Sequence, residues 1–148
     1  TIRVSLKNTA GCLEASKAWQ APGVGNPETS AAAVFREGLD LGCGMGWHCA
    51  YAADQGAKRV TGVDISQRML DQAIRLHSRP VVTYQQASFL HTAFPQESFD
   101  VVLCSLMLHY LPSYEDFLDR VSRWLRPGGT LVYNCLLYTS PSPRDTER

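Results

Sequence analysis

Apolar residues in this chain fall into short runs separated by polar and glycine-rich stretches, and the spacing within the runs changes from one to the next. Strands are predicted at Leu39, at Val60, over Val81–Gln85, at Phe99 and at Thr130, where β-branched or continuous apolar residues are bounded by turn signals. The passage Phe99–Leu103 is almost wholly apolar, as expected for a central strand covered on both faces. Between the strands, helices are predicted from Trp47, over Gln67–Leu76 and from Tyr114. In the last of these, Tyr114, Phe117, Leu118, Val121, Trp124 and Leu125 recur at helical spacing behind a Ser113 cap with Asp116 three residues on. Pro127-Gly128-Gly129 then ends the helix and launches the strand at Thr130. Strands alternating with helices predict an α/β fold, a doubly wound and mostly parallel sheet with right-handed crossovers. Residues 1–36 form a weakly patterned leader containing the turn-rich Ala21–Pro27, and Arg36-Glu37-Gly38 interrupts the apolar run before Leu39.

The richest local chemistry lies where the first of these strands ends. Asp40-Leu41-Gly42-Cys43-Gly44-Met45-Gly46 runs from an acidic strand end into a loop with glycine at every second position. A strand that turns sharply into a helix while its backbone approaches a ligand needs residues without a Cβ. The helix from Trp47 would aim its unpaired N–H groups and positive dipole end at the carboxylate or polar tail of that ligand. Dinucleotide-binding loops instead read G-x-G-x-x-G, and their third glycine position is filled here by Trp47. The next strand closes on Asp64, placed to accept both hydroxyls of a ribose, with Ser66 as the cap of the following helix. A glycine turn without a ligand, and an acid that merely favours a helix start, are the structural alternatives.

Four segments taken together resemble the class I S-adenosylmethionine (SAM) dependent methyltransferases, and the type 11 group in particular. They are the glycine loop, Arg59–Ser66, the passage from Phe94 through Tyr110, and Leu125-Arg126-Pro127-Gly128-Gly129-Thr130-Leu131. The resemblance implies a Rossmann-like sheet of order 3-2-1-4-5, truncated before the family's final strands, which would leave Thr130–Asn134 as an unpaired apolar edge. It implies SAM as cofactor, with Asp40, Gly42, Cys43, Gly44 and Gly46 around its tail, Asp64 on the ribose and Ile65 against the adenine. Where the family usually offers an aspartate to the adenine amino group this chain has Ser88, which accepts without charge, followed by the main chain of Phe89. Cys104 and Ser105, at the end of the Phe99 strand, would border the same crevice. His109 and Tyr110 follow where the family lines its acceptor pocket, as candidates to orient or deprotonate an acceptor; the alternative for His109 is a structural hydrogen-bonding role. Trp19 resembles a lid residue, or is a core tryptophan. His48 adjoins the loop with no evident partner.

Composition adds mainly exclusions. The chain has 148 residues, 45% of them hydrophobic, with 14 Lys+Arg balancing 14 Asp+Glu, the makeup of one globular domain without a broad nucleic-acid or membrane footprint. No C-x-x-C pair occurs among the cysteines, so neither zinc nor a redox dithiol is expected, and a reduced cytoplasmic setting is the simpler expectation. Cys135–Asp145 resembles the in-frame translation of a sequencing-library adapter, which divides the chain into a 1–36 leader or partial lid, a 37–134 SAM-binding core and a non-native 135–148 tail. The expected function is SAM-dependent methyl transfer to a small-molecule acceptor. A SAM-binding module or inert truncated product, and an NAD-type oxidoreductase, are the alternatives.

Overall fold

A computed structural model describes residues 3–6, 37–105 and 110–134. Within them a six-stranded sheet has the order β1-β6-β5-β2-β3-β4, with β1 Arg3–Leu6, β2 Glu37–Leu41, β3 Arg59–Asp64, β4 Val82–Gln86, β5 Phe99–Ser105 and β6 Leu125–Asn134. Every pairing is parallel. Omitting β1, the order is the expected 3-2-1-4-5, and the helices α1 Trp47–Asp54, α2 Gln67–His77 and α3 Tyr114–Trp124 supply crossovers.

The central strands β2, β3 and β5 are buried on both faces, and strand alternation decides which residue faces which layer. Along β5, Phe99, Val102 and Cys104 pack with Phe117, Val121 and Trp124 of α3, whereas Val101 and Leu103 face the layer of Cys49, Ala52 and Leu70 from α1 and α2. The caps follow the sequence reading. Ser66 Oγ accepts from Met69 N at 3.3 Å and Ser113 Oγ from Asp116 N at 3.2 Å, each satisfying an otherwise unpaired first-turn donor.

Two expectations are corrected. Thr130–Tyr133 is not an open edge, because Arg3–Leu6 lies parallel against it and supplies partners to its backbone groups. The last strand also begins five residues before Thr130, at Leu125, which is extended (φ −79°, ψ 139°) rather than helical. Glu97 N and Ser98 N bond the carbonyls of Arg123 and Trp124 at 2.9 and 2.8 Å, drawing the chain off the helix, and Pro127 disfavours helix at Arg126. The register then shifts between Phe99 and Val101 while Arg126–Gly129 is passed over.

Glu37, which interrupted the first apolar run, is accommodated at the amino-terminal rim of the sheet. Arg126 lies 3.4 Å from Glu37 and 3.1 Å from Asp100, and Glu37 N donates to Asp100 Oδ2 at 2.9 Å. The charges thereby join β2, β5 and β6 on the rim opposite the glycine loop.

Inside β3, Gly62 leaves room for the layer above it. A Cβ there would lie 2.9 Å from Cys49 Sγ and Tyr84 Cδ1 and 3.0 Å from Cys43 Sγ. Gly62→Ala is therefore expected to destabilise the fold by about 1–3 kcal/mol through overpacking. The urea unfolding midpoint reads this, and an unchanged midpoint would mean that the thiols and the Tyr84 ring move aside freely.

Candidate functional site

The glycine loop takes the backbone shape its composition suggests. Gly42, Gly44 and Gly46 have φ of 72°, 55° and 83°, and Gly46 is the N-cap of α1. The demand is strictest at Gly46, where positive φ coincides with the Tyr84 phenol, which a Cβ would strike. Tyr84 is fixed in turn by donating its hydroxyl to His77 O at 2.8 Å.

Asp64 closes the loop from the neighbouring strand. Its Oδ2 accepts from Gly44 N at 2.9 Å and its Oδ1 from Ser66 N at 2.8 Å. A carboxylate offers about four lone-pair sites, so both oxygens keep acceptor capacity for a ligand. Val63 O reinforces the same junction by accepting from Gly42 N and Cys43 N at 2.8 and 2.9 Å.

Beyond these strand ends opens a cleft of about 540 Å³, lined from β2 and β3 by Leu41, Gly42, Val63, Asp64 and Ile65, from the β4 exit by Ala87–Leu90, and by Tyr110 and Leu111. It sits at the carboxyl ends of the strands beside β2, where the sheet order reverses, the expected ligand position in an open α/β sheet. Of the residues singled out in the sequence, the structure brings Gly42, Asp64, Ile65, Ser88, Phe89 and Tyr110 together on its wall. Ile65 is 70% and Tyr110 78% exposed, so both present apolar surface at the mouth.

Asp40, Cys43, Gly44, Gly46 and Cys104 do not line that wall. Asp40, Cys43 and Cys104 are buried, Cys104 in the layer facing α3. Gly46 faces Tyr84 at the start of α1, and Gly44 faces Met69 of α2. Ser105 is the last residue of β5, opposite Asn134. His109 and Trp19 lie outside the described residues. Ala87, Leu90 and Leu111, which carried no chemical signal in the sequence, also line the cleft.

Beneath the loop lies a polar cluster that the motif reading did not anticipate. Asp40 is fully buried, its Oδ2 3.6 Å from Cys49 Sγ and 3.9 Å from His48 Nδ1. Among the described residues, Asp40 Oδ1 and His48 Nε2 have no hydrogen-bond partner. Burial, with a smaller push from the Asp64 charge, raises the Asp40 carboxyl from 3.8 to about 7 against the opposing Cys49 contact. Burial also lowers the His48 pKa, and the Cys49 thiol is raised by Cys43, by burial and by Asp40. At 3.9 Å, with the imidazole biased toward neutrality, the His48–Asp40 contact is not a strong ion pair. Strand alternation was the available signal, since Leu39 and Leu41 face α3 and Asp40 must face α1.

A carboxyl with a raised folded pKa binds protons that the unfolded chain has released, so its contribution to stability falls as pH rises from about 4 to 7. Asp40→Asn does not titrate, and His48 remains in both proteins. The stability of the variant relative to wild type is expected to improve by about 2–3 kcal/mol between pH 5 and pH 8. Denaturant unfolding at the two pH values checks this, and a pH-independent difference would mean that Asp40 ionises as an ordinary carboxylate.

Comparison with known proteins agrees with this geometry. The family profile described as Methyltransferase domain matches residues 39–133. The crystal structure of an S-adenosylmethionine-dependent methyltransferase from Mesorhizobium loti is 35% identical, with a TM-score of 0.66, covering 81% of this chain and 51% of that one. Phosphoethanolamine N-methyltransferase 2 of Haemonchus contortus, solved in complex with S-adenosyl-L-methionine, is 28% identical with a TM-score of 0.65, covering 77% of this chain and 28% of that one. The ubiquinone biosynthesis O-methyltransferase of Azoarcus sp. (strain BH72) is 37% identical over 102 residues, which are 66% of this chain and 43% of that protein. The chain spans less than half the length of the curated relatives it matches. With the profile covering most of the chain and the sheet order in agreement, the chain belongs to the class I SAM-dependent methyltransferases.

Proposed function

We propose that this chain forms the cofactor-binding part of an enzyme that transfers a methyl group from SAM to a small-molecule acceptor. The observation that carries the reading is the convergence of the positive-φ glycine loop, the Asp64 carboxylate and the Ser88–Phe89 turn on one cleft. Its volume, about 540 Å³, suits a small-molecule site. The residues present fit the cofactor: Asp64 retains acceptor sites for ribose hydroxyls, exposed Ile65 offers an apolar face to the adenine, and Ser88 with the main chain of Phe89 stands at the base edge. The loop from Asp40 through Gly42, Cys43, Gly44 and Gly46 serves the polar tail, with Cys104 and Ser105 at the neighbouring strand end.

The cofactor supplies the chemistry as an activated methyl on a sulfonium. What the protein must add is orientation of the acceptor and exclusion of water. Tyr110 stands at the cleft mouth, and we assign it, with His109, to orienting the acceptor or taking a proton from it. A cytoplasmic setting is supported by the free thiols of Cys43, Cys49 and Cys104. No described helix is long and apolar enough to cross a membrane.

Calorimetric titration with S-adenosylhomocysteine and with NADH separates the methyltransferase from the oxidoreductase reading. Binding of the first without the second is expected, and preference for the dinucleotide would overturn the proposal. Asp64→Asn, which halves the acceptor capacity of that side chain, is expected to weaken S-adenosylhomocysteine binding about tenfold or more, or about 1.4 kcal/mol. Turnover of SAM with a panel of acceptors then distinguishes an enzyme from a binding module, which would bind without forming product.

A further inference from the structure

Arg120 takes no part in the cleft wall, yet it reaches across from α3 to the turn that forms that wall. Its Nη1 donates to Phe89 O at 2.8 Å and its Nη2 donates to Thr92 O. Its guanidinium carbon lies 4.4 Å from the centre of the Phe89 ring and 5.4 Å from that of Trp124. The two carbonyls belong to the first residue and the C-cap of the short 3-10 helix Phe89–His91, whose N-cap is Ser88. Within the turn, His91 N donates to Ser88 O at 3.0 Å, Thr92 N to Phe89 O at 3.3 Å, and Thr92 Oγ1 to Ser88 O at 2.7 Å.

Such a turn is weak by itself, because 3-10 hydrogen bonds are poorly aligned and three residues form too few of them. A guanidinium corrects this in a way that few groups can. Its planar fork meets two carbonyls at once, while its flat face rests on an aromatic ring. Arg120 has no carboxylate partner among the described residues, so nothing competes with the turn for its charge. On its other side it borders a second cavity of about 300 Å³, with Phe94, Gln96 and Arg123. The other cations near the end of α3 are engaged differently: Arg123 pairs with Asp119 at 2.6 Å, and Arg126 with Asp100 and Glu37.

We infer that Arg120 is a positioning residue that fixes the Ser88–Phe89 turn against α3 and thereby sets the base selectivity of the cofactor cleft. The inference rests on the proposed placement of the adenine edge at Ser88 and Phe89. Without the fork, Thr92 O turns to water, Phe89 O keeps only its bond from Thr92 N, and Phe89 loses the cation over its ring. The Phe89 N–H then no longer holds one direction toward the base, and selectivity between a ring nitrogen that accepts, as in adenine, and one that carries a proton, as in hypoxanthine, is lost before binding itself.

The test compares dissociation constants for S-adenosylhomocysteine and its hypoxanthine analogue S-inosylhomocysteine in wild type, Arg120→Lys and Arg120→Met, with thermal unfolding of each protein alongside. Wild type is expected to prefer the adenine ligand about three- to tenfold, the range of one neutral hydrogen bond. Arg120→Met keeps the apolar stem and is expected to bind the adenine ligand about tenfold more weakly, with the preference reduced to below about twofold. Arg120→Lys, which can bridge only one carbonyl, should fall between. A wild-type preference retained in Arg120→Met, with or without a lower unfolding temperature, makes Arg120 a structural residue only and overturns the inference. If Arg120→Met does not fold, Arg120→Lys decides, and a wild-type ratio in it is equally fatal. Failure of the wild-type protein to bind S-adenosylhomocysteine would instead overturn the cofactor reading, and this inference with it.

Discussion

The whole site depends on the carboxylate of Asp64 holding a glycine loop to the end of a neighbouring strand. A loop with glycine at every second position pays a large entropic cost for order, and few of its own side chains can meet that cost. The anchors come from outside it. Asp64 accepts Gly44 N and Ser66 N, Val63 O accepts Gly42 N and Cys43 N, and the Tyr84 ring from β4 lies under Gly46. One acid therefore closes the loop, steadies the start of α2 and faces the cleft. These roles are compatible because a carboxylate has more acceptor sites than the two backbone donors occupy.

That arrangement explains why the fold was largely readable from the sequence. The glycine loop, the Asp64 strand end and the Ser66 and Ser113 caps are local features, in which each residue type does its work within a few positions of itself in the chain. Features that depend on distant partners were not readable. The pairing of Arg3–Leu6 with Thr130–Tyr133 joins segments far apart in the sequence, and four alternating residues carry almost no signal of it. The start of β6 at Leu125 was missed for a related reason. Helical spacing continues through that residue, but Glu97 and Ser98 compete for the last carbonyls of α3, and tertiary bonds outweigh local periodicity.

The site was legible to a different degree on its two sides. Acids and glycines at strand ends announce themselves, whereas Ala87, Leu90 and Leu111 line the cleft as ordinary apolar residues whose importance comes only from position. Asp40 is the instructive intermediate. As a motif acid it reads as a residue for the ligand, but the pleat turns it beneath α1 toward His48 and Cys49. A buried carboxyl with an oxygen lacking a partner among the described residues is a liability to stability. Its place at the strand end that carries the glycine loop fits a general pattern, in which departures from good packing gather at functional sites.

The two layers of the molecule consequently reach the cleft by different physical means. On the α1 and α2 side, contact is close and steric, with glycines admitting a thiol pair and a phenol that any Cβ would displace. On the α3 side, contact is aromatic and cationic. Phe89 lies 5.3 Å from Phe117 and 5.8 Å from Trp124, ring centre to ring centre, with the Arg120 guanidinium over it. Close-packed glycine contacts yield little, because protein interiors resist compression. Aromatic and fork contacts instead fix direction through ring geometry and a planar set of donors. The glycine loop is thus held by close steric contact, and the Ser88–Phe89 turn by contacts from a single helix. Substitutions in α3 therefore reach the Ser88–Phe89 wall of the cleft without touching the loop that Asp64 anchors.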